Sequence, residues 1–310
     1  MGSKRKLGEN MNSLRANRQL YLLLLPALAY FLVFCYFPMY GLQIAFRDYK
    51  ASLGIAKSAW VGLKHFRHFF DRYSCGRMFR NTFLLNFYSL LVGFPLPLLL
   101  AIMLNQLKNR RLRRFSQAAV IVPHFISTVV VVGIIHLFFS PTRGIVNAAL
   151  TQLRPDMAPV DFLLEPGWFR PLYIASDVWQ NAGWNALIYT AALQSVDPTL
   201  YEAASIDGTN RWQTIWYIDL PHLLPVAVVV LILNCGTLLS TNVDKALLLQ
   251  TAGNISTSDL LGVYVYNVGI ASGGQYSYAS AIGLCLNFMN FCMLLAVNGI
   301  ARRVNGASLL

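Results

Sequence analysis

Charged residues are scarce in this chain of 310 residues. Lys, Arg, Asp and Glu make up 12% of it, whereas soluble domains carry about twice that share. Hydrophobic residues make up 56%, and the mean hydropathy is +0.49. A chain of this length can supply about six spans of roughly 20 residues each. The sequence therefore predicts an all-helical membrane protein and argues against a soluble domain.

Motifs that carry covalent or metal chemistry are also missing. The five cysteines have no CxxC spacing, and the five histidines have no ligand spacing. His65 and His68 lie three apart without a third ligand, so we expect a solvated or interfacial helix face there and no metal site. No HExxH, Ser/His/Asp or paired-carboxylate set converges in the apolar segments, and no GxxxxGKS/T phosphate loop is present. We therefore expect neither an enzyme nor an ATPase.

Six apolar segments are long enough to cross a bilayer. The fourth is interrupted by Asp177, Gln180, Asn181 and Asn185, and polar residues in a span normally face the bundle interior or a cavity. Residues 260–270 are apolar but too short to cross, which predicts a re-entrant or interfacial loop. The six predicted spans are residues 20–46, 83–104, 118–139, 172–193, 223–239 and 276–300.

Charge counting does not orient these spans. With six spans, the two end segments 1–19 and 301–310 share one side with the loop 105–115 and with the segment between spans four and five, which holds Arg211. That side holds 13 of the 25 Lys and Arg residues, so the counts are balanced. Its dense cluster KNRRLRR (108–114) favours the cytoplasm. We assign the net charge of +12 to loop orientation and lipid head groups rather than to nucleic-acid binding.

A polar, amphipathic segment at 201–225 interrupts the apolar pattern. Just ahead of it, Asp197 and Pro198 predict a helix start, because an N-cap acceptor is followed by Pro at the first helical position. Gly208 predicts the end of this helix, since glycine adopts a positive φ without steric penalty. The segment is too polar to span lipid and too rich in helix signals for a slack linker.

A second short helix is predicted after this glycine. Thr209 or Asn210 can cap it, and Pro221 and Pro225 are expected to end it before the fifth span. The two helices would lie beneath the membrane at an angle to each other. From this chemistry alone, an interfacial amphipathic connector is an equally good interpretation.

The spacing of the segment resembles the EAA loop of ABC-importer permeases. That loop combines EAA, a DG pair and a spaced I-x-L-P, and the chain has Glu202-Ala203-Ala204, Asp207-Gly208 and Ile218-Asp219-Leu220-Pro221. It departs mildly at Thr209 and Ile215, where the carbohydrate branch often has Ala and Phe. Four further stretches are similar to the polysaccharide-permease branch of carbohydrate importers, and together they cover nearly the whole chain: PMYGLQIAFRDY (38–49), WVGLKHF (60–66), GFPLPLLLAIMLNQL (93–107) and VPHFIS (122–127).

This resemblance implies a type I ABC-importer permease fold. Residues 20–300 would form a six-span permease domain with a cytoplasmic coupling loop at 197–225, and both termini would be cytoplasmic. In that family the EAA loop docks into a cleft of an ATPase, so that Glu202 meets a basic residue and Gly208 sets the bend. The residues expected to couple to the ATPase are Glu202, Ala203, Ala204, Asp207, Gly208, Arg211, Leu220 and Pro221.

The resemblance also implies partners in a bacterial cytoplasmic membrane. These are a second permease subunit, which we expect to be a different chain, two cytoplasmic ATPase subunits and an extracytoplasmic solute-binding protein. ATP and Mg would be bound by the ATPase, so no cofactor is expected in this chain. The predicted role is ATP-driven import of an oligo- or polysaccharide by alternating access.

Candidate sugar contacts lie on the last three spans, because carbohydrate recognition uses hydroxyl-matching polar groups and aromatic faces in an enclosed site. The alternative for all of them is hydrogen bonding between helices, which uses the same residue types. We expect the three candidates of the fifth span to share one helical face. The candidates are Trp179, Asn181 and Trp184 on span four, Asn234, Thr237 and Thr241 on span five, and Asn287 and Asn290 on span six.

A basic outer loop at 47–80 bears on the cargo. It carries eight Lys or Arg residues against Asp48 and Asp71. Contact with anionic lipid or with the binding protein is one interpretation, and attraction of an acidic, uronate-containing oligosaccharide of the alginate or pectin kind is another. An interfacial helix is predicted within the loop from four apolar residues at helical spacing, Leu63, Phe66, Phe70 and Tyr73.

The main rival is an ion-coupled secondary transporter. Asp177, or the pair Asp244-Lys245, would then be its intramembrane ionisable site. Such a transporter needs no ATPase, and it leaves the pattern from Glu202 to Pro221 without a role.

Overall fold

The computed structural model describes residues 18–156 and 158–305 of the chain. The predicted end segments 1–19 and 301–310 therefore lie largely outside the described residues. Nearly all regular structure in the described part is helical, and the exception is a two-residue antiparallel ladder in which Arg47–Asp48 pairs with Ala59–Trp60. The all-helical prediction is confirmed.

Six long helical segments correspond to the six predicted spans. We label them α1 to α6 in chain order: α1 is Gln19–Phe46, α2 is Cys75–Asn105, α3 is the bent pair Arg110–Phe125 and Thr128–Phe138, α4 is Pro166–Gln194, α5 is Arg211–Cys235 and α6 is Tyr276–Asn305. Shorter helices connect them: Gly54–Lys57, Lys64–Phe70, Ile145–Leu153, Pro198–Ile206, Val243–Leu249, Ile255–Ser258 and Leu261–Tyr266.

Length and composition alone support four or five crossings in the described part of the chain. Helices α1, α2, α5 and α6 are long and apolar enough, and the two arms of α3 qualify together as one broken span. Helix α4 has the length, at 29 residues, but it carries the polar residues Asp177, Gln180 and Asn181. Six helical segments are thus consistent with the six predicted spans, although polar side chains make one of them atypical.

The third predicted span, 118–139, is not a straight helix. Its two arms meet at an angle of 94°. Pro123 lies in a short 3-10 turn, Val122–Phe125, and Ile126 and Ser127 have extended backbones. Proline lacks the N–H that would continue the helix, and Ser127 starts the second arm because its Oγ accepts from the N–H of Val130.

Helix α4 lies at the centre of the bundle. It packs on α2, α3 and α5, and the tightest crossing is at Gly183. A Cβ atom there would lie 1.8 Å from the carbonyl oxygen of Val120 in the first arm of α3, so the two backbones touch directly. At the ends near the segment 197–225, α2, α4 and α5 share one apolar cluster: Ala101, Ile102, Ala186, Tyr189, Leu193, Leu223 and Ala227.

One outer segment differs from its prediction at His65, and a second agrees with its prediction. In the helix Lys64–Phe70 the buried residues are His65 and Phe69, whereas most of the predicted apolar face, including Phe70 and Tyr73, is exposed. His65 is buried because its Nε2 bonds the carbonyl oxygen of Arg47 at 3.1 Å, so its predicted solvated or interfacial position is wrong. The apolar segment near 260–270 forms the helix Leu261–Ala271. This helix is too short to cross a membrane, in agreement with the prediction.

Candidate functional site

The coupling segment begins with the helix Pro198–Ile206, which we call the coupling helix. Asp197 caps it: its Oδ1 accepts from the N–H of Thr199 at 3.0 Å. This hydrogen bond holds the pKa of the exposed Asp197 carboxyl below its usual value. The predicted helix start is therefore confirmed.

The coupling helix ends at the predicted glycine. Gly208 has φ +69° and donates its N–H to the carbonyl of Ser205, while the N–H of Thr209 bonds the carbonyl of Ala204 at 3.0 Å. These two bonds form a Schellman motif, in which a left-handed residue turns the chain and satisfies the last carbonyls. A sharp bend at Gly208 follows.

The next helix starts at Asn210 with a reciprocal capping box. Asn210 accepts from the N–H of Gln213 at 2.9 Å, and Gln213 accepts from the N–H of Asn210 at 2.8 Å. The predicted end of this helix at Pro221 and Pro225 is wrong, because the helix continues from Arg211 to Cys235 as α5. A π turn over Ile215–Asp219 shifts the carbonyls ahead of Pro221, which relieves the usual clash of the proline ring.

Most of the predicted coupling residues are accessible. Glu202, Ala203, Asp207, Gly208, Arg211 and Pro221 are exposed, and Ala204 and Leu220 are partly buried. Ile206, at the tip of the coupling helix, is an apolar side chain with 87% exposure. Glu202 and Asp207 form no ion pair with any residue that the structure describes. The tip therefore presents two free carboxylates and an unpartnered apolar side chain to the solvent.

Next to the coupling helix lies a buried carboxylate, Asp219, for which no role was predicted. Asp219 has no solvent exposure, and three neutral side chains donate to it. Tyr201 Oη donates to its Oδ1 at 2.7 Å, Gln106 Nε2 to its Oδ2 at 2.9 Å, and Asn105 Nδ2 to its Oδ1 at 3.4 Å. Burial and the bond to Asp219 raise the pKa of Tyr201 to about 12. The only sequence signal was an acidic residue in an otherwise apolar helical stretch.

Two of the predicted sugar contacts meet in one cavity. Trp184 of α4 and Asn234 of α5 line a space of about 270 Å³, together with Asn185 and Tyr189. Tyr189 is buried, and its hydroxyl finds no hydrogen-bond partner in the described residues. The cavity thus combines an aromatic face with two amides, while the Tyr189 hydroxyl is enclosed in its wall. Sequence reasoning noted Asn185 only as an interruption and missed Tyr189.

Asn181 belongs to a polar chain beside this cavity. Its Oδ1 lies 3.0 Å from His124 Nδ1, and its Nδ2 donates to Asp177 Oδ1 at 3.1 Å. Asp177 Oδ1 also pairs with Lys245 Nζ at 3.0 Å, and the Lys245 side chain is fully buried. His124 stacks on Trp184 with ring centroids 4.5 Å apart. This series of polar contacts connects the bend of α3 to the helix Val243–Leu249.

The remaining pathway candidates are dispersed. Trp179 lies in a separate apolar groove against the second arm of α3. Helix α5 ends at Cys235, so Thr237 and Thr241 do not share a helical face with Asn234 and that prediction is wrong. The helix ends there because Gly236 and Thr237 form a turn in which the hydroxyl of Thr237 bonds the carbonyl of Asn234 at 3.1 Å. Thr241 accepts from Asn86 at 3.3 Å.

On α6 the two candidates differ. Asn287 is exposed and lines a groove of about 700 Å³ beside Asp244 and Tyr276. Asn290 is buried, and its amide bonds the N–H of Leu239 at 2.9 Å and the Oγ of Ser240 at 3.0 Å. Asn290 therefore joins α6 to the segment after α5, which is the interhelical role named as the alternative.

The basic outer loop keeps part of its charge unpaired. Lys64 lies 3.6 Å from Asp48, and Arg77 lies 2.9 Å from Asp259. Within the described residues, the exposed Lys50, Lys57 and Arg67 form no ion pair. The loop therefore presents a net positive surface on the side opposite the coupling helix.

Comparison with known proteins agrees with this architecture. Residues 93–306 match the family described as the binding-protein-dependent transport system inner membrane component. Protein LplB of Bacillus subtilis (strain 168) is 38% identical over 293 residues, which cover 94% of this chain and 91% of the relative. The polygalacturonan/rhamnogalacturonan transport system permease protein YteP of the same organism is 38% identical over 286 residues, covering 92% and 88%.

A solved structure is similar over almost the whole chain. It is the crystal structure of a bacterial ABC transporter involved in the import of the acidic polysaccharide alginate. A chain of it superposes with a TM-score of 0.85 at 36% identity and covers 96% of this chain and 99% of its own. The predicted type I permease fold is confirmed. The chain thus belongs to the family of inner-membrane components of binding-protein-dependent transport systems, and it is a permease subunit of an ABC importer rather than an enzyme.

Proposed function

We propose that this chain moves an acidic, uronate-containing oligosaccharide across the bacterial cytoplasmic membrane by alternating access, driven by a separate ATPase. The observation that carries the ATP-driven part is the coupling helix with its exposed tip. Glu202 and Ile206 stand free at a sharp, fully hydrogen-bonded bend, which is the form that a docking element needs. Glu202 meets a basic residue of the ATPase, and Gly208 sets the bend between the two helices.

The complex contains further chains. Two ATPase subunits bind the ATP and Mg, and one coupling loop serves one ATPase, so a second permease subunit completes the membrane domain. Helix α1 supports this partner, because none of its most apolar stretch is buried within the chain and a broad face is left for lipid and protein contact. A solute-binding protein delivers the cargo from outside. Both termini are cytoplasmic, on the side of the coupling helix.

The cargo assignment rests on charge and on relatives. Lys50, Lys57 and Arg67 form an exposed, unpaired cationic surface at the outer face, which raises the local concentration of an anionic sugar. YteP is named for polygalacturonan and rhamnogalacturonan, and the similar solved transporter for alginate. The related complex with an alginate pentasaccharide-bound periplasmic protein is likewise similar to this chain. Inside the bundle, Trp184, Asn185 and Asn234 serve as sugar contacts.

Ion coupling through Asp177 is disfavoured by its environment. The carboxylate is paired with Lys245 and bonded by Asn181, so it is neutralised in place rather than left open for a transported cation. Asp244 is exposed and its side chain forms no ion pair within the described residues, but this rival still leaves the coupling helix without a role.

The cargo is tested by uptake into proteoliposomes that contain the assembled complex. We expect uptake of an oligouronate to exceed that of a neutral oligosaccharide of equal length and to weaken as salt rises. Lys50→Gln combined with Lys57→Gln should lower uronate uptake. Lys64→Gln combined with Asp48→Asn is the matched control, because this ion pair carries no net charge and its removal leaves the charge of the loop unchanged. Preference for the neutral sugar, insensitive to salt, would contradict the cargo assignment and leave ATP-driven import standing.

A further inference from the structure

Asp219 is a buried carboxylate without a cation. Its exposure is zero, and no Lys, Arg or His of the described residues forms an ion pair with it. A buried charge is costly unless it is paired or fully hydrogen-bonded. Here three neutral donors from Asn105, Gln106 and Tyr201 satisfy both oxygens. Such a costly group at the base of the bundle calls for an explanation beyond packing.

The three donors come from two other elements. Tyr201 lies on the coupling helix, and Asn105 and Gln106 lie at the cytoplasmic end of α2. Asp219 itself lies in the π turn of α5, 18 residues from Tyr201 and 114 from Asn105. One side chain therefore ties together three elements that are distant in the sequence.

The hydrogen bond between Tyr201 and Asp219 spans the turn at Gly208 and therefore limits its bending. The coupling helix is joined to α5 through the turn at Gly208, whose positive φ and lack of a Cβ allow rotation. A push on the coupling helix could be absorbed by bending at this turn before it reaches α5. The bond from Tyr201 to Asp219 bridges the turn from one side to the other, so that bending there requires breaking a charge-assisted hydrogen bond.

A packed route leads from Asp219 into the bundle. The apolar cluster of α2, α4 and α5 begins one helical turn above it with Leu223. Tyr189 is part of that cluster and also lines the cavity that holds Trp184 and Asn234. Close-packed side chains transmit displacement instead of absorbing it. A movement that reaches Asp219 can thus reach the cavity.

We propose that Asp219 is a positioning residue that locks the coupling helix to α2 and α5, so that displacement by the ATPase moves these helices rather than bending the turn at Gly208. This inference rests on the proposed function, because it takes the coupling helix to be the element that the ATPase moves. Loss of the lock uncouples the two activities: ATP is still hydrolysed, but less sugar is moved for each ATP.

The test measures the ratio of oligouronate transported to ATP hydrolysed by the assembled complex in proteoliposomes. Tyr201→Phe removes one bond to the carboxylate and keeps the ring, and Asp219→Leu removes the acceptor altogether. A hydrogen bond to a charged group is strong enough for about a tenfold change in an equilibrium, so we expect the ratio to fall about five- to tenfold. Tyr217→Phe is the matched control, since this tyrosine of the same π turn is exposed and hydrogen-bonds none of the described residues.

A conservative variant separates locking from charge. Asn at position 219 can accept from Tyr201 through Oδ1 and donate to the amide oxygen of Gln106 after that amide turns over. We therefore expect Asp219→Asn to restore part of the transport ratio that Asp219→Leu loses, because a neutral hydrogen bond is weaker than one to a carboxylate. If Asp219→Leu does not assemble, the comparison of Tyr201→Phe with Tyr217→Phe decides.

Two results overturn the inference. One is an unchanged transport ratio in Tyr201→Phe, and the other is a parallel loss of ATPase activity and transport, which indicates a structural role only. Both require that the wild-type complex couples transport to ATP. A wild type without ATP-dependent uptake contradicts the proposed function instead, so the two failures are distinguishable.

Discussion

The crossing of α3 and α4 at Gly183 offers a sharp test of the bundle. In Gly183→Ala the new Cβ lies 1.8 Å from the carbonyl oxygen of Val120 and 2.3 Å from its carbonyl carbon. Ordinary Cβ contacts begin at 3.4 Å, so the first arm of α3 must move by roughly 1.5 Å. The atoms in the way are backbone, which no rotamer change can relieve.

The loss of stability in Gly183→Ala can be estimated from the cost of overpacking. Inserting a methyl group where neighbours cannot relax costs about 1–3 kcal/mol, and a backbone clash belongs at the upper end. At about 3 kcal/mol the apparent melting temperature falls by roughly 5 °C for a chain of 310 residues, because the entropy of unfolding is about 2.1 cal/mol/K per residue. The assay is thermal unfolding of the purified complex in detergent, followed by the loss of soluble, monodisperse protein.

A matched control lies on the second arm of α3. Gly133 has no atom within 4 Å of an added Cβ, so Gly133→Ala should be neutral or slightly stabilising, because alanine favours the helix by about 1 kcal/mol. Equal melting temperatures for Gly183→Ala and Gly133→Ala would refute the close crossing of α3 and α4.

Three further predictions concern the coupling segment and the ion pair. Gly208→Ala places a Cβ at φ +69° and should weaken the end of the coupling helix by about 1 kcal/mol, seen as faster local amide exchange in 201–207. Asp197→Ala should fray the start of that helix at neutral pH. Because the pKa of Asp197 is lowered on folding, this difference from wild type should vanish as pH falls through that lowered pKa, while Asp197→Asn keeps the cap. Lys245→Met leaves the carboxylate of Asp177 without its cation and should lower the free energy of unfolding by about 1–3 kcal/mol. This loss is smaller than for a fully buried pair because Asp177 is 35% exposed. Adding Asp177→Asn to the same chain should recover part of the lost stability.

Local signals made the coupling helix predictable. Its start and bend are encoded by Asp197 and Gly208, whose effects act within a few residues and do not depend on the rest of the fold. The same holds for the apolar segments, since their length and hydropathy are properties of the chain itself. The bend of α3 at Pro123 has a local cause as well, because proline lacks the N–H that continues a helix, whereas its 94° angle depends on the rest of the fold.

Long-range contacts explain what the sequence could not give. The donors to Asp219 include Asn105, which lies 114 residues away, so no local pattern identifies them. The predicted helix end at Pro221 is wrong because the π turn ahead of this proline, which lets the helix continue, has no clear sequence signature. The prediction that Thr237 and Thr241 share a helical face with Asn234 is wrong for a related reason. Periodicity assumes that the helix continues, but α5 ends at Cys235.

Under the proposed function, the coupling helix connects this permease to ATP hydrolysis. This connection is tested most directly by ATP-driven uptake of an oligouronate into proteoliposomes with the complete complex, carrying either the wild-type chain or Glu202→Ala. We predict robust uptake that needs the ATPase subunits for the wild type, and loss of both uptake and sugar-stimulated ATP hydrolysis for Glu202→Ala despite normal membrane insertion. Full coupled transport by Glu202→Ala, or uptake by this chain without any ATPase, would contradict the account.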